Sequence, residues 1–348
     1  MLFYLFGLLS TSWSDDPYVA LKRLIKCVGA LSMALIILTE AFPFAALGVI
    51  MKRLAFLLLP LSVLFIKYYP DLGRAYSAIG SSQVTGATFQ KNSLGELCML
   101  LGIYFFWHLL FVTRKRADLG PRLHPFLYWV LLLLLGWLLY MADSATSLAC
   151  LVVAICVILI GRLPKMIKNP TRIMTLCFTC SVLYLLLQLA FDINNIFITM
   201  LGRRPDLTTR VPMWHDLLTM AVNPYLGSGW QSFGMGQRLL LMYARWRVVS
   251  THNGYLDMYL NLGIIGLVLQ FGWVFFGLQE IRRNLYTDYH TALLKFCFII
   301  VVMLFNWTET VVFGVSNVYL IFLLGTLNVT WRPRDASYKI YRGDQCLR

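Results

Sequence analysis

Residues 202–263 read GRRPDLTTRVPMWHDLLTMAVNPYLGSGWQSFGMGQRLLLMYARWRVVSTHNGYLDMYLNLG. Apolar runs of bilayer-crossing length stand on either side of this stretch, which makes it a long polar excursion out of a membrane. It holds six arginines, Arg203, Arg204, Arg210, Arg238, Arg245 and Arg247, against three carboxylates, Asp206, Asp216 and Asp257. His215 and His252 are its histidines. A guanidinium keeps its charge at any working pH and offers a planar fork of donors that fits phosphate oxygens. A basic loop beside a bilayer therefore points to an anionic substrate held at the membrane surface.

Outward from the loop, the composition agrees. The 348 residues are 59% hydrophobic and only 13% charged, about half the charge of an average soluble domain. The apolar runs are continuous rather than alternating, which excludes a β-barrel. The expected fold is all-α, a polytopic integral membrane protein with about ten transmembrane helices. They centre on 1–12, 25–42, 54–68, 93–112, 124–141, 146–161, 173–191, 254–278, 293–307 and 316–330. The first lacks a basic start and a small-residue cleavage site, and is read as a span or the remnant of one. No low-complexity segment or internal repeat divides the chain. Residues 1–348 are taken as one integral domain, and 192–253 as a single large extracytoplasmic loop within it.

Orientation follows from the short loops. Arg114-Lys115-Arg116, the stretch from Arg162 to Arg172, Arg282-Arg283 and the tail from Arg332 fall on one side, and Lys52-Arg53 agrees with them. The positive-inside rule makes that side cytoplasmic and puts the 68–92 and 192–253 loops on the outer face. Lys22, Arg23 and Lys26 run against this scheme. The net charge of +14 is accounted for largely by cytoplasmic loops that set topology and meet anionic lipid, so no nucleic-acid partner is indicated.

Seven of the eight cysteines lie in or beside apolar runs and Cys346 is in the tail, with none in the large loop. Neither a disulfide framework nor a zinc site is indicated, and Cys177 and Cys180 read as buried thiols. The acids Glu40, Glu96, Asp143, Asp192 and Glu309 lie in or near spans. An intramembrane acid is expensive and invites a functional reading, whereas one at an outer end can simply be solvated. Trp13, Trp129, Trp230 and Trp307 fit both interfacial belts and sugar stacking.

Two short helices are expected in the loop. In the first, from about 210 to 222, Val211, Trp214, Leu218 and Val222 recur at helical spacing, Pro212 sits in the first turn, and Asn223-Pro224 ends it. In the second, from about 237 to 248, Arg238, Met242 and Arg245 share a face. Between them, Gly227-Ser228-Gly229-Trp230 is a turn whose backbone N–H groups can approach a ligand closely. It is no dinucleotide fingerprint, because no strand precedes it.

Three segments make a recognisable set: Thr208-Thr209-Arg210 with Trp214 and Asn223-Pro224-Tyr225-Leu226-Gly227-Ser228-Gly229; His252-Asn253-Gly254-Tyr255-Leu256 with Leu262-Gly263-Ile264-Ile265-Gly266; and Gln90-Lys91-Asn92-Ser93-Leu94-Gly95. Together they resemble the O-antigen ligase and O-antigen polymerase family, most nearly its exopolysaccharide-polymerase branch, over about residues 50 to 330. The resemblance implies a glycosyltransferase-C-like fold in the bacterial inner membrane. It implies an enzyme that takes a glycan from undecaprenyl diphosphate on the outer face and passes it to a saccharide or lipid acceptor. No cofactor or nucleotide sugar is implied, and in the ligase members no metal. Membrane lipids are implied partners, and other polysaccharide-assembly proteins are compatible with this role. Thr209 stands where the family usually has glycine.

The resemblance assigns Arg210 to the diphosphate and makes His252 the functional histidine; these two are the expected catalytic residues. Negative charge develops on a diphosphate leaving group, and preorganised cations stabilise it where water is scarce. An imidazole can take the acceptor hydroxyl proton or orient the diphosphate. Arg245 is the expected second diphosphate arginine, with Arg247 and Arg238 as rivals; some of these arginines can instead pair with Asp206 or Asp216, or touch lipid headgroups. Lys91 faces the same aqueous side and joins the expected substrate-binding set, as do Trp214 and Asn253, although Asn253 can equally cap the helix that follows. The rival functional class is a transporter or flippase of lipid-linked sugars, which would show paired repeats and broken midplane helices. Neither is visible in the sequence. A non-catalytic assembly partner would leave the arginine and histidine set unexplained.

Overall fold

The computed structural model describes residues 2–40, 43–76, 82–112, 123–191, 207–220, 222–248 and 250–310. Among the described residues the regular structure is helical but for one antiparallel ribbon, β1 (Arg74–Tyr76) with β2 (Ser82–Val84), in register Ala75 opposite Gln83. The helices are α1 (Leu2–Ser10), α2 (Pro17–Thr39), α3 (Pro43–Tyr68), α4 (Pro70–Gly73), α5 (Lys91–Phe111), α6 (Pro125–Ala142), α7 (Ala145–Gly161), α8 (Pro164–Lys168), α9 (Arg172–Phe191), α10 (Leu207–Thr219), α11 (Gly236–Trp246), α12 (Gly254–Asn284) and α13 (Tyr289–Thr308).

Five of these are long and apolar enough to cross a membrane: α3, α5, α6, α12 and α13. Leu2–Trp13, α7 and most of α9 are apolar but shorter. At 1.5 Å per residue the nine-residue α1 covers less than half of a bilayer core, so the expected span at 1–12 is a half-length helix. The span expected at 25–42 is the end of α2, whose first turns carry Lys22, Arg23 and Lys26. The span at 316–330, the basic clusters at 114–116 and in the tail, and Arg203, Arg204, Asp192 and Asp206 lie outside the described residues.

The core sits on α5. This helix is buried on nearly every side, from Leu94 to Trp107, against α6 and α7. Helix α13 is equally enclosed, between α7 and α12. Helices α3 and α6 instead leave Phe56, Leu57, Leu64, Leu133 and Trp137 exposed. Apolar side chains on an outer face suit contact with lipid.

Two ends of the bundle can be told apart. At one, the hydroxyls of Thr146 and Thr308 meet at 2.9 Å, joining the start of α7 to the end of α13. At the other, Tyr289 donates to the Gly161 carbonyl at 2.7 Å and Trp107 to that of His290 at 2.8 Å. Arg162, Lys165, Lys168 and Arg172 follow the Gly161 end, and Arg282 and Arg283 precede Tyr289. The loop helices α10 and α11 belong to the Thr308 end.

Helix α12 is not continuous. Gly263 has φ 64° and ψ −163°, a conformation open to glycine, so the ladder breaks there. A break of this kind was not expected from the sequence, and its free backbone groups must be satisfied away from water. The segment 223–229 supplies four such partners. Ser228 and Gly229 donate their N–H groups to the carbonyls of Leu260 and Asn261 at 3.0 and 2.9 Å. Ile264 and Ile265 donate to the carbonyls of Pro224 and Tyr225 at 2.9 and 3.3 Å. The glycine-rich turn is thus a strap across the broken helix, and those N–H groups are spent on protein rather than on a ligand.

A Cβ on Gly263 would come within 2.2 Å of the Tyr225 carbonyl oxygen. Gly263→Ala is expected to destabilise the protein by at least about 2 kcal/mol through backbone strain and loss of the strap. Gly136→Ala, where nothing lies within 4 Å, is the control. Thermal unfolding in detergent tests the pair; equal midpoints for the two variants would contradict the strap.

The strap is itself held from the amino-terminal side. Ser14 donates to the Ser232 hydroxyl at 2.9 Å, and the Asp15 N–H to the same oxygen at 3.1 Å. Trp230 is buried under Phe3 and Tyr4, and Arg23 donates to the Gln231 carbonyl. The basic start of α2 therefore has a local reason to depart from the loop-charge pattern: Arg23 holds the loop.

Candidate functional site

Both loop helices form close to where the sequence puts them, but α10 begins at Leu207 and takes Pro212 inside it. Its buried face differs from the expected one. Val211 and Leu218 are exposed, while Met213 and Leu217 are buried with Phe233, Met242 and Leu260. The rotation places Trp214 toward residues 250–253, where its indole donates to the Thr251 carbonyl at 2.9 Å.

Residues 250–253 form a tight turn entering α12. Asn253 caps the helix, accepting from the N–H groups of Tyr255 and Leu256 at 3.0 Å each. Gly254 follows because α13 lies too close for a side chain: a Cβ there would meet the Asn306 amide at 1.7 Å. Hydroxyls of Ser250 and Thr251 both approach that of Thr310, at 3.2 and 3.4 Å. His252 takes a left-handed backbone, φ 49°, which for a residue with a Cβ costs of the order of 1–3 kcal/mol and marks a constrained position.

The carboxylate of Glu309, just past the end of α13, collects the site. Asn92, in the first turn of α5, donates to Oε1 at 2.7 Å. His252 meets Oε2 through Nδ1 at 3.4 Å. Arg210 places Nη2 3.8 Å from Oε1 and donates from Nη1 to the Thr308 carbonyl at 2.8 Å. A carboxylate at a helix C-terminus opposes the helix dipole, and the last carbonyls have no partner within the helix. Arg210 answers both: it caps α13 and sits beside the charge. Glu309, Arg210 and His252 retain 15%, 25% and 31% of their side-chain exposure, so the cluster is enclosed yet reachable. Among the described residues no partner is found for His252 Nε2, while Arg210 engages the Thr308 carbonyl through Nη1 and Glu309 through Nη2.

The other expected substrate-binding residues are placed as follows. Arg245 pairs with Asp216 at 3.0 Å and is 68% exposed; the Trp246 indole shares that carboxylate. Arg238 pairs with Asp15 and lies over the Phe233 ring. Arg247 ends α11 in a left-handed conformation over the Tyr243 ring. Lys91 opens α5, half-buried, next to Asn92. Thus Arg210, His252 and, through the turn, Asn253 and Trp214 come together. Arg238, Arg245 and Arg247 are engaged elsewhere on the loop.

Glu309 and Asn92 were not among the expected site residues. Glu309 carried a signal, an acid at the end of an apolar run. Asn92 carried less, being one residue of the motif that opens α5.

Residues 129–271 match the family model described as O-antigen ligase, a segment that contains Arg210 and His252 but neither Asn92 nor Glu309. A protein of Rickettsia prowazekii named "Putative polysaccharide ligase" is 26% identical over 219 residues, 61% of this chain and 52% of the relative. Its Rickettsia typhi counterpart is 25% identical with the same coverage. The Rickettsia conorii protein of that name is 24% identical over 306 residues, 84% of this chain and 71% of the relative. The chain spans about half the length of the first two relatives.

Proposed function

Starting from the match of residues 129–271 to the O-antigen ligase family model, we propose that this membrane protein is a polyprenyl-diphosphate-dependent glycosyltransferase. It takes a glycan from undecaprenyl diphosphate on the outer face of the bacterial inner membrane and transfers it to a saccharide acceptor, as a polysaccharide polymerase or ligase. The observation that carries this reading is the convergence of Arg210 and His252, from opposite ends of the loop, on the one carboxylate of Glu309. Arg210 receives the charge that develops on the departing diphosphate. His252 takes the proton of the attacking hydroxyl through Nε2. The site lies at the Thr308 end of the bundle, away from Arg162, Lys165, Lys168, Arg282 and Arg283, which supports an outer-face location by the charge bias of membrane loops.

The substrate-binding role narrows to Arg210, with Lys91 and Trp214 at its margins. Arg238, Arg245 and Arg247 have a smaller share, since each already has a loop partner. Product analysis of a strain lacking this protein tests the function. Loss of surface polysaccharide, with accumulation of its lipid-linked precursor and restoration by the intact chain, is the expected result. Unchanged polysaccharide of normal length would overturn it.

A further inference from the structure

The geometry points to Glu309 as the positioning residue of the site: its carboxylate orients His252 through Nδ1 and anchors Arg210, with Asn92 fixing the carboxylate in turn. This inference rests on the glycosyltransferase reading for its chemistry, but not for its geometry. It goes beyond the family match, which ends at residue 271.

Four elements meet at this one side chain. Asn92 comes from α5, Arg210 from α10, His252 from the turn before α12, and Glu309 itself follows α13. A hydrogen bond from Nδ1–H to a carboxylate decides which imidazole nitrogen carries the proton and leaves Nε2 as the free base. Such a carboxylate also stabilises the imidazolium that forms when the base has done its work. Its own position matters, and Asn92 fixes it with the shortest contact in the cluster, 2.7 Å. The left-handed backbone at His252 has a purpose on this account: it turns the ring toward the end of α13.

The step served by this arrangement balances as follows. The acceptor hydroxyl gives its proton to His252 Nε2 while its oxygen forms a bond to the anomeric carbon. The bond from that carbon to the diphosphate oxygen breaks, and the electron pair leaves on the lipid diphosphate, against Arg210. Glu309 neither gains nor loses a proton.

Two measurements on Glu309→Gln test the inference, since the amide keeps the size and the contact with Asn92 while removing the charge. The first is independent of any activity. Purified wild-type and variant proteins are labelled at pH 8 with diethylpyrocarbonate, and the rates at His252 and at the exposed His215 are compared by mass spectrometry. Loss of the carboxylate partner is expected to lower the His252 to His215 rate ratio several-fold; an unchanged ratio would overturn the positioning role. The second is turnover. Glu309→Gln is expected to lose on the order of 10²-fold or more in kcat, and to add little to the loss already caused by His252→Ala, because the two act as a unit. Losses that combine in full would overturn the inference. A lowered labelling ratio in Glu309→Gln, together with a wild-type protein that transfers no glycan, would instead uphold the geometry and reject the proposed function.

Discussion

Arg210→Ala is expected to abolish glycan transfer while the protein still inserts in the membrane. Removing a preorganised donor from a developing negative charge costs on the order of 10²–10³-fold in turnover. Among the described loop arginines, Arg210 is the one whose guanidinium reaches the cluster at Glu309, held by the Thr308 carbonyl on one side and the carboxylate on the other. Arg210→Lys is expected to restore little. A lysine carries the charge but presents it as a point, without the fork needed to grip the helix end and a diphosphate together. Because Arg210 also caps α13, the measurement is glycan formed per unit of inserted protein rather than total yield. Arg245→Ala is the comparison: Arg245 is 68% exposed, and its pair with Asp216 lies apart from the Glu309 cluster. Wild-type specific activity in Arg210→Ala would remove the diphosphate role.

His252→Ala is expected to lose 10²–10⁴-fold, on the order of what a general base contributes, while His215→Ala stays near wild type. His215 lies exposed on α10 and has no part in the Glu309 cluster. A left-handed backbone complicates the alanine substitution, because it relieves no strain and removes the ring. His252→Asn separates the two effects, since asparagine tolerates that conformation better than most residues but offers no base. Both variants are expected to be inactive and His252→Asn to accumulate normally. Full specific activity in either would take the histidine out of the mechanism.

Much of this architecture was legible in the sequence, for identifiable reasons. The long apolar runs that became α3, α5, α6, α12 and α13 depend on composition over a bilayer's length, which tertiary packing does not alter. The two loop helices followed from periodicity and from the stop at Asn223-Pro224. The buried face of α10 did not. Val211 and Leu218 are as apolar as Met213 and Leu217, and only the position of Trp214 against Thr251 decides which pair turns inward. The break at Gly263 was equally hidden, since an isolated glycine in an apolar helix has many roles. The strap could be matched to it only once residues 223–229 were seen lying across it.

Within the candidate site, Arg210 and His252 were legible because a basic loop residue and a histidine at a helix start stand out beside a membrane. Glu309 was visible as an acid at the end of an apolar run but had no partner in the sequence. The contacts that define it come from residues 217, 99 and 57 positions away. Charge alone likewise failed to rank the arginines. Arg238 and Arg245 share a helix face, yet each is drawn to a different carboxylate, Asp15 and Asp216.

The most direct test of the central claim is a reconstituted transfer reaction. Purified protein in a bilayer is given a polyprenyl-diphosphate-linked oligosaccharide and a saccharide acceptor, and free polyprenyl diphosphate is measured alongside the extended glycan. The wild-type protein is expected to release one lipid diphosphate for each glycan joined, and Arg210→Ala and His252→Ala to release none. Movement of the intact lipid-linked sugar across the bilayer with no bond broken would contradict it.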